Sequence, residues 1–189
     1  MAKIIIGLVG PMASGKEVTK KYIEEKYNAK SCKFSTILRD VLDRLFVDKS
    51  RENIVNISTS LRETFGQDLL AKVIAKDSLA HDADIVVIDG VRRNSDIVYL
   101  MDLPNFYLVS IDALSEVRYT RMVLRNENAG DSEKTFDKFL EDHQLETETQ
   151  IPEVMAEAKF SIDNTEDGFE HLYEKIDKMM GEIKSENLS

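Results

Sequence analysis

Cysteine and histidine are scarce in this sequence of 189 residues, which has one cysteine, Cys32, and three well separated histidines at positions 81, 143 and 171. A single cysteine excludes an intramolecular disulfide and any zinc site built from several cysteines. The histidines have no partner at ligand spacing, so we interpret them as ordinary surface or boundary residues. A reducing compartment fits this composition.

An excess of basic residues and a long hydrophobic run are also absent. The formal net charge of −10 and the pI near 4.9 argue against sequence-independent attachment to nucleic acid or anionic lipid, although they are compatible with a local basic pocket. The apolar run at residues 4–9 is too short to cross a membrane and leads into a glycine-rich turn. We therefore expect a cytoplasmic protein without a stable nucleic-acid or membrane partner, whose oligomeric state stays open.

Proline is rare as well, and the sequence contains neither an internal repeat nor a low-complexity tract. Nothing in the composition therefore marks a linker between domains. With 42% apolar and 32% charged residues, the chain has the composition of an ordinary globular protein. Its length fits one domain, so we predict a single folding unit over residues 1–189.

Short apolar runs alternate with segments of helical spacing along the chain. The runs predict strands over residues 4–9, 30–34, 84–90, 106–112 and 160–162. Helical spacing predicts helices over residues 15–27, 37–45, 52–65, 68–79, 133–147 and 167–180, with frayed final residues at 184–189. About five parallel strands with crossover helices make a doubly wound α/β domain, in which ligands bind beyond the carboxyl ends of the strands.

A glycine-rich loop at residues 10–16 follows the first predicted strand and opens the first predicted helix. It matches GxxxxGK, a phosphate-binding loop, in the structural context that this motif requires. The glycines let successive backbone N–H groups face a phosphate, and Lys16 can reach the outer phosphates. The candidate ligands of a nucleoside triphosphate are Gly10, Met12, Ala13, Ser14, Gly15, Lys16 and Glu17.

The residue after Lys16 departs from the usual motif, because Glu17 stands where a serine or threonine hydroxyl normally binds Mg²⁺. Either Thr19 or a water held by Glu17 serves the metal, or Mg²⁺ is bound weakly. Asp89 ends a predicted strand beside the loop, where a carboxylate can hold Mg²⁺ through water or orient an acceptor group. The candidate metal residues are Glu17, Thr19 and Asp89.

Arginines near the carboxyl edge of the predicted sheet are candidates for binding an acceptor phosphate, since a forked guanidinium matches two phosphate oxygens. Arg92 and Arg93 follow Asp89 on a loop. Arg39 and Arg62 lie in the second and third predicted helices. For each arginine alone, a solvated surface charge explains the sequence at least as well.

Three further arginines, Arg118, Arg121 and Arg125, are spaced by three and four residues, which places them on one face of a helix. A polar stretch and a charged helix follow, so residues 118–148 are interpreted as a lid that brings arginines to a transferring phosphoryl group and excludes water. An ion-paired surface helix is the alternative. The candidate catalytic residues are Lys16, Asp89, Arg121 and Arg125.

Four tracts together resemble the nucleoside-monophosphate-kinase branch of the P-loop kinases, which includes adenylate kinase, dephospho-CoA kinase and phage-type deoxynucleotide monophosphate kinases. These tracts are VGPMASGK at 9–16, VVIDGVRRNSDI at 86–97, RYTRMVLR at 118–125 and the tract from Thr135 to Glu146. Archaeal nucleotide-kinase-like proteins show a similar pattern. The loop is specific for the superfamily, whereas the other tracts indicate the branch without fixing the substrate.

The resemblance implies a three-layer αβα P-loop fold of about five parallel strands, with a core at residues 1–34, 81–117 and 158–183. It also implies a helical acceptor-binding insert at about 35–80, a helical lid at about 118–148, and Mg²⁺ as cofactor. The residues that it implies are Arg118 and Asn164 for ATP and Arg39, Arg62 and Arg92 for the acceptor phosphate.

The predicted activity is ATP-dependent phosphoryl transfer to a nucleoside or deoxynucleoside monophosphate. A first alternative keeps the same machinery but transfers the phosphoryl group to a hydroxyl, as in dephospho-CoA kinase, and then Asp89 becomes important as a base. A second alternative is a regulatory module that binds a nucleoside triphosphate, changes shape and turns over slowly.

Overall fold

A five-stranded parallel sheet forms the centre of the protein in a computed structural model that describes residues 3–126, 131–142 and 148–187. The sheet order is β2-β3-β1-β4-β5, and every neighbouring pair is parallel. The strands are β1 (Ile4–Val9), β2 (Lys30–Lys33), β3 (Ile85–Asp89), β4 (Phe106–Asp112) and β5 (Phe160–Asp163).

Helices connect these strands and cover the sheet. They are α1 (Lys16–Tyr27), α2 (Phe34–Arg44), α3 (Arg51–Phe65), α4 (Leu69–Ala80), α5 (Asn94–Met101), α6 (Ser115–Arg125), α7 (Phe136–Asp142), α8 (Ile151–Ala156) and α9 (Glu170–Glu186), with a 3₁₀ turn at Asp131–Glu133. Three of them, α2 to α4, occupy the connection between β2 and β3. Within the described part of the chain, none of these helices is both long and apolar enough to cross a membrane.

Alternate residues of β1 face two separate hydrophobic clusters, as the two-residue period of a strand requires. Ile6 and Leu8 pack with residues of α1 and α9 on one face, whereas Ile5 and Val9 pack with residues of α2, α4, α5 and α8 on the other. Every residue of β1 is buried. The apolar sequence of β1 therefore reflects its place in the middle of a sheet that is covered on both faces, which makes a three-layer α/β structure.

The carboxyl ends of the strands converge on one edge of the sheet, where β1 leads into the glycine-rich loop and β3 ends at Asp89. In the sheet, β1 has β3 as its neighbour on one side and β4 on the other, so the strands that precede β4 in the sequence all lie on one side of it. This reversal of strand order opens a crevice at the edge of the sheet, and crevices of this kind are the usual ligand sites of open α/β sheets.

The predicted fold class and the five predicted strands are confirmed, whereas two helical predictions are wrong at their ends. The last helix does not stop at residue 180, because buried Ile183 extends its apolar face and the helix continues to Glu186. The helix predicted from residue 133 begins at Phe136 instead, after the 3₁₀ turn, where the Thr135 hydroxyl accepts a hydrogen bond from the backbone of Lys138. Residues 143–147, the rest of that predicted helix, lie outside the described residues.

Candidate active site

The glycine-rich loop is shaped by two glycines that no larger residue could replace. A Cβ at Gly10 would lie 2.0 Å from the carbonyl oxygen of Ile111 in β4. A Cβ at Gly15 would lie 2.3 Å from Nδ2 of Asn164, and Gly15 also has a φ of 113°. Ala13 has a φ of 60°, and left-handed residues of this kind turn successive backbone N–H groups towards a common centre that binds anions.

Lys16 is the first residue of α1, and its side chain folds back over the loop. Its Nζ donates hydrogen bonds to the carbonyl oxygens of Gly10 and Pro11, at 2.7 and 2.8 Å. The pKa of Lys16 is lowered to about 8, mainly by burial and also by the positive charges of Arg92 and Arg118, while the negative charges of Glu148 and Asp89 oppose the shift. An anion bound here would restore the ordinary pKa, so the loop has the electrostatics of a phosphate site.

Asn164, which follows β5, ties a second loop to the glycine-rich loop. Its Nδ2 donates to the carbonyl oxygen of Ser14 at 2.8 Å, and its backbone N–H donates to that of Asp112 at 2.7 Å. Arg121 donates from Nη1 to the carbonyl of Asn164 and from Nη2 to that of Glu166. Arg121 therefore holds the loop after β5 next to the predicted nucleotide site.

Arg118, on α6, is a buried arginine beside the glycine-rich loop. Its Nε donates to the carbonyl oxygen of Ala113 at 3.0 Å and its Nη1 lies 3.4 Å from that of Met12. The guanidinium also lies over the ring of buried Phe139 from α7, 5.5 Å from its centroid, and burial lowers its pKa. By contrast, Arg125 is exposed at the end of α6. The structure thus brings Arg118 to the loop and leaves Arg125 at the surface.

The three residues predicted to hold Mg²⁺ do not form a ligand set for it in this conformation. The Thr19 hydroxyl is fully buried and has no hydrogen-bond partner among the described residues. The carboxylates of Glu17 and Asp89 both contact the ammonium group of Lys20, at 2.5 and 3.5 Å. Within the described ranges, no group of three or more His, Cys, Asp and Glu side chains is placed to hold a metal ion. A Mg²⁺ ion that keeps several waters and binds nucleotide phosphates needs only one or two carboxylates from the protein.

A cleft of about 550 Å³ opens beside the loop, between β3 and the helices α2 and α3. Its lining includes apolar side chains such as Phe34, Leu38 and Ile54. Two carboxylates, Asp89 and Asp96, also line it. The basic residues of the lining are Lys33, Arg39, Lys49, Arg51, Arg62, Arg92 and Arg93.

The structure brings the three predicted acceptor-binding arginines to this cleft but in different environments. Arg62 is buried, and its Nη2 lies 2.7 Å from Oδ1 of buried Asp96. Arg92 is half-exposed and pairs with Glu148 at 2.5 Å. Arg39 is exposed and, among the described residues, has no ion-pair partner. Asp96 also accepts hydrogen bonds from the backbone N–H groups of Arg92 and Arg93, so it shapes the loop after β3.

Sequence reasoning missed six charged residues that the fold brings to this region, among them Lys49, which lines the cleft, and Asp96, which pairs with Arg62. Lys20 and Lys33 contact Asp89, Arg51 lines the cleft, and Glu148 pairs with Arg92. Only Lys20 had a local signal, because it lies three residues after Glu17 on the same helical face. The other contacts join distant parts of the chain and leave no periodic trace in the sequence.

Comparisons with known proteins give relatives by sequence and a likeness by structure. No family model matches the chain. A UPF0200 protein of Methanocaldococcus jannaschii is 25% identical over 182 residues, which are 95% of this chain and 90% of that protein. A UPF0200 protein of Saccharolobus solfataricus is 27% identical over 163 residues, which are 85% of this chain and 84% of that protein. The names of these relatives assign no activity.

Solved structures of shikimate kinases share the fold. The enzyme from Bacteroides thetaiotaomicron superposes with a TM-score of 0.61 at 13% identity, covering 96% of this chain and 98% of that chain. Shikimate kinase from Acinetobacter baumannii, in complex with shikimate, gives a TM-score of 0.55 at 14% identity over 99% and 96% of the two chains. At such identities the likeness shows the fold alone, and this chain shares the three-layer α/β fold of these shikimate kinases.

Proposed function

We propose that this protein transfers the γ-phosphoryl group of ATP to a small anionic acceptor, a nucleoside or deoxynucleoside monophosphate. The observation that carries this proposal is the basic cleft at the carboxyl edge of the sheet, because two of its lining residues, Asp89 and Arg92, lie close enough to Lys16 of the glycine-rich loop to act on its pKa. A kinase needs two adjacent anion sites, one for the donor phosphates and one for the acceptor, because catalysis of phosphoryl transfer rests on positioning and charge stabilisation.

The cleft is basic, although the chain as a whole is acidic. Seven basic side chains and two carboxylates line the cleft, whereas the chain has a formal net charge of −10. A basic cleft on an acidic protein concentrates anionic ligands and repels cationic ones. Apolar residues such as Phe34 and Ile54 in the same lining offer a surface for a planar base. An acceptor that combines phosphate with an apolar ring fits both features.

In this proposal the backbone of the glycine-rich loop and Lys16 bind the phosphates of ATP. Asn164 lies towards the base, and Arg118 supports the loop from α6. Asp89 orients the acceptor at the edge of the sheet. The acceptor oxygen attacks the γ-phosphorus in line, ADP leaves, and no covalent enzyme intermediate forms. The residues proposed for the acceptor phosphate are Arg39, Arg62 and Arg92.

Two segments would complete the site. Residues 35–80 would form the acceptor-binding insert, and residues 118–148 would form a lid that carries Arg121 and Arg125 and excludes water. Mg²⁺ would accompany ATP as its cofactor, bound by the phosphates of the nucleotide. The reaction uses only soluble metabolites, so we propose a cytoplasmic enzyme.

The proposal is tested by incubating the protein with Mg-ATP and, separately, each common ribonucleoside and deoxyribonucleoside monophosphate and dephospho-CoA. ADP and the phosphorylated product are then separated and quantified by chromatography. ADP release that depends on a monophosphate and disappears in Lys16→Ala supports the proposal. ATP binding without transfer to any acceptor would overturn it in favour of the regulatory module.

A hydroxyl acceptor is a second candidate, because one carboxylate of the cleft lining, Asp89, stands at the end of β3 beside the loop. A carboxylate there can take a proton from an attacking hydroxyl. The fold is shared with shikimate kinases, whose names indicate a substrate that is not a nucleotide, shikimate. Product formation with dephospho-CoA, but with none of the monophosphates, would favour this candidate.

A further inference from the structure

Lys20 is a buried cation at the place where the sequence predicts a metal. Its side chain is 4% exposed, and its Nζ lies 2.5 Å from Oε2 of Glu17 and 3.5 Å from Oδ2 of Asp89. Lys20 is therefore the shared cation of the two carboxylates.

The surrounding charges are already balanced without a divalent ion. Asp89 has a second basic neighbour, because Nζ of Lys33 lies 3.6 Å from the same Oδ2 atom. Glu17 has a second one in Lys21, at 3.9 Å, although Lys21 is largely exposed. A divalent cation placed between the two carboxylates would face the buried Lys20 ammonium at close range, where like charges repel.

We propose that Lys20 takes the place of a protein-bound divalent cation: it holds the carboxylates of Glu17 and Asp89 together and prevents the nucleotide-free protein from binding Mg²⁺ there. Lys20 is thus a positioning residue that acts through Glu17 and Asp89. Its location relative to a nucleotide rests on the proposed function, but its effect on metal binding does not.

The experiment measures binding of Mn²⁺, a paramagnetic substitute for Mg²⁺, to the nucleotide-free protein by electron paramagnetic resonance. The unmodified protein is expected to bind Mn²⁺ weakly. The matched control, Lys21→Met, removes a more exposed lysine from the same helix and is expected to bind Mn²⁺ equally weakly. Lys20→Met leaves the two carboxylates without their shared cation, so its Mn²⁺ affinity is expected to rise about tenfold or more. Lys20→Arg keeps the charge and is expected to bind no more Mn²⁺ than the original protein.

Two further variants locate the gained site. Adding Glu17→Gln or Asp89→Asn to Lys20→Met removes one carboxylate ligand, and each double variant is expected to lose the gain. Circular dichroism and thermal unfolding of every variant confirm that the fold is intact. A gain that survives both double variants, or no gain in a folded Lys20→Met protein, would overturn the proposal.

If Lys20→Met does not fold, the ammonium group of Lys20 in the unmodified protein can be observed directly. The Nζ–H₃⁺ signal of Lys20 in a ¹⁵N-detected spectrum is expected to stay in place when Mg²⁺ is added. A shift or loss of that signal would mean that Mg²⁺ displaces Lys20, which contradicts the proposal. Because neither measurement uses ATP or an acceptor, a failure of the kinase assay and a failure of this inference are separate results.

Discussion

The carboxylate of Glu148 lies 2.5 Å from Nη1 of Arg92 and joins the segment before α8 to the loop after β3. The Glu148 side chain is only 10% exposed. Its negative charge also acts on Lys16 and Arg118, where it opposes the lowering of their pKa values. Glu148 is therefore an internal anion among three cations beside the phosphate-binding loop.

This arrangement predicts that Glu148→Gln binds ATP more tightly. The carboxylate occupies the neighbourhood of Lys16 and Arg92 in which the proposed γ-phosphate would lie, so the two anions compete. Because the partner Arg92 is half-exposed, removing the Glu148 charge should tighten the dissociation constant by about threefold to tenfold. Isothermal titration calorimetry at pH 7 measures it, with Glu153→Gln, an exposed carboxylate of α8, as control. Weaker binding by Glu148→Gln would show that Glu148 instead keeps Arg92 in a productive position.

The lowered pKa of Lys16 predicts a pH dependence of ATP binding. The free protein loses the Lys16 proton near pH 8, whereas an unfolded chain keeps it to about 10.5. Anionic phosphates stabilise the charged form of Lys16, so the affinity of the protein for ATP should decrease as the pH rises above about 8. At pH 8, where Lys16 is half-protonated, binding should take up about half a proton per ATP.

Calorimetry in two buffers of different ionisation enthalpy at pH 8 measures this uptake. Lys16→Arg is the control, because arginine remains charged and should bind ATP without proton uptake. An observed enthalpy that does not depend on the buffer in the original protein would contradict the prediction. The stability of the free protein changes in the opposite direction to its affinity for ATP. Between pH 8 and 10.5 Lys16 carries a proton in the unfolded chain but not in the folded protein, so its contribution to the free energy of unfolding increases as the pH rises.

A matched pair of glycine substitutions tests the loop geometry. Gly15→Ala combines an unfavourable φ of 113° with a Cβ 2.3 Å from Asn164, so it should lower the free energy of unfolding by about 1–3 kcal/mol and abolish ATP binding. Gly181→Ala, on α9, places its Cβ in open space and should stabilise the helix by about 0.5–1 kcal/mol. Thermal unfolding measures both. Equal stability of the two variants would mean that Gly15 is not constrained as described.

The sequence predicted the centre of the sheet well because its three central strands, β1, β3 and β4, are mostly apolar and buried on both faces. Runs such as that of β1 have few alternative conformations in a protein of this size, and the glycine-rich loop has a spacing that little else explains. Both predictions depend on residues that are near each other in the chain. The wrong helix end at residue 180 had a similar local cause, since Ile183 was one apolar residue at the edge of a polar tail.

The charge network could not be predicted in the same way. Arg92 and Glu148 are far apart in the sequence, as are Arg62 and Asp96, and such pairs form only after the sheet and helices have packed. Arg62 was interpreted as a phosphate ligand from its position in a helix, but burial and pairing with Asp96 give it a structural contact as well. Ion pairing between distant residues leaves no pattern that a single sequence reveals.

Arg39 is exposed whereas Arg62 is buried and paired, so substitutions at the two places should affect different properties: acceptor binding at Arg39 and stability at the pair of Arg62 with Asp96. Arg39→Ala removes an exposed side chain of the cleft and should raise KM for the acceptor while leaving Tm unchanged. Asp96→Asn breaks the buried pair with Arg62 and should cost about 3 kcal/mol of stability. Thermal unfolding and steady-state kinetics separate the two effects. An unchanged KM for the acceptor in Arg39→Ala would exclude a binding role for Arg39.

Asp89→Asn distinguishes the two classes of acceptor. An acceptor phosphate is already ionised and needs no base, so the variant should lose only the positioning effect of Asp89, about tenfold in kcat. An acceptor hydroxyl must lose its proton, and loss of the base should then cost about 10²–10⁴-fold. Steady-state kinetics with the acceptor found in the chromatographic assay measures the loss, with Asp102→Asn, an exposed residue after α5, as control.

Asn keeps the shape of Asp89 but removes its ion pairs with Lys20 and Lys33. The loss of these ion pairs affects the rate equally with a phosphate acceptor and with a hydroxyl acceptor. The size of the loss in kcat therefore distinguishes the two classes: a loss of about tenfold favours an acceptor phosphate, and a loss of about 10²-fold or more favours an acceptor hydroxyl.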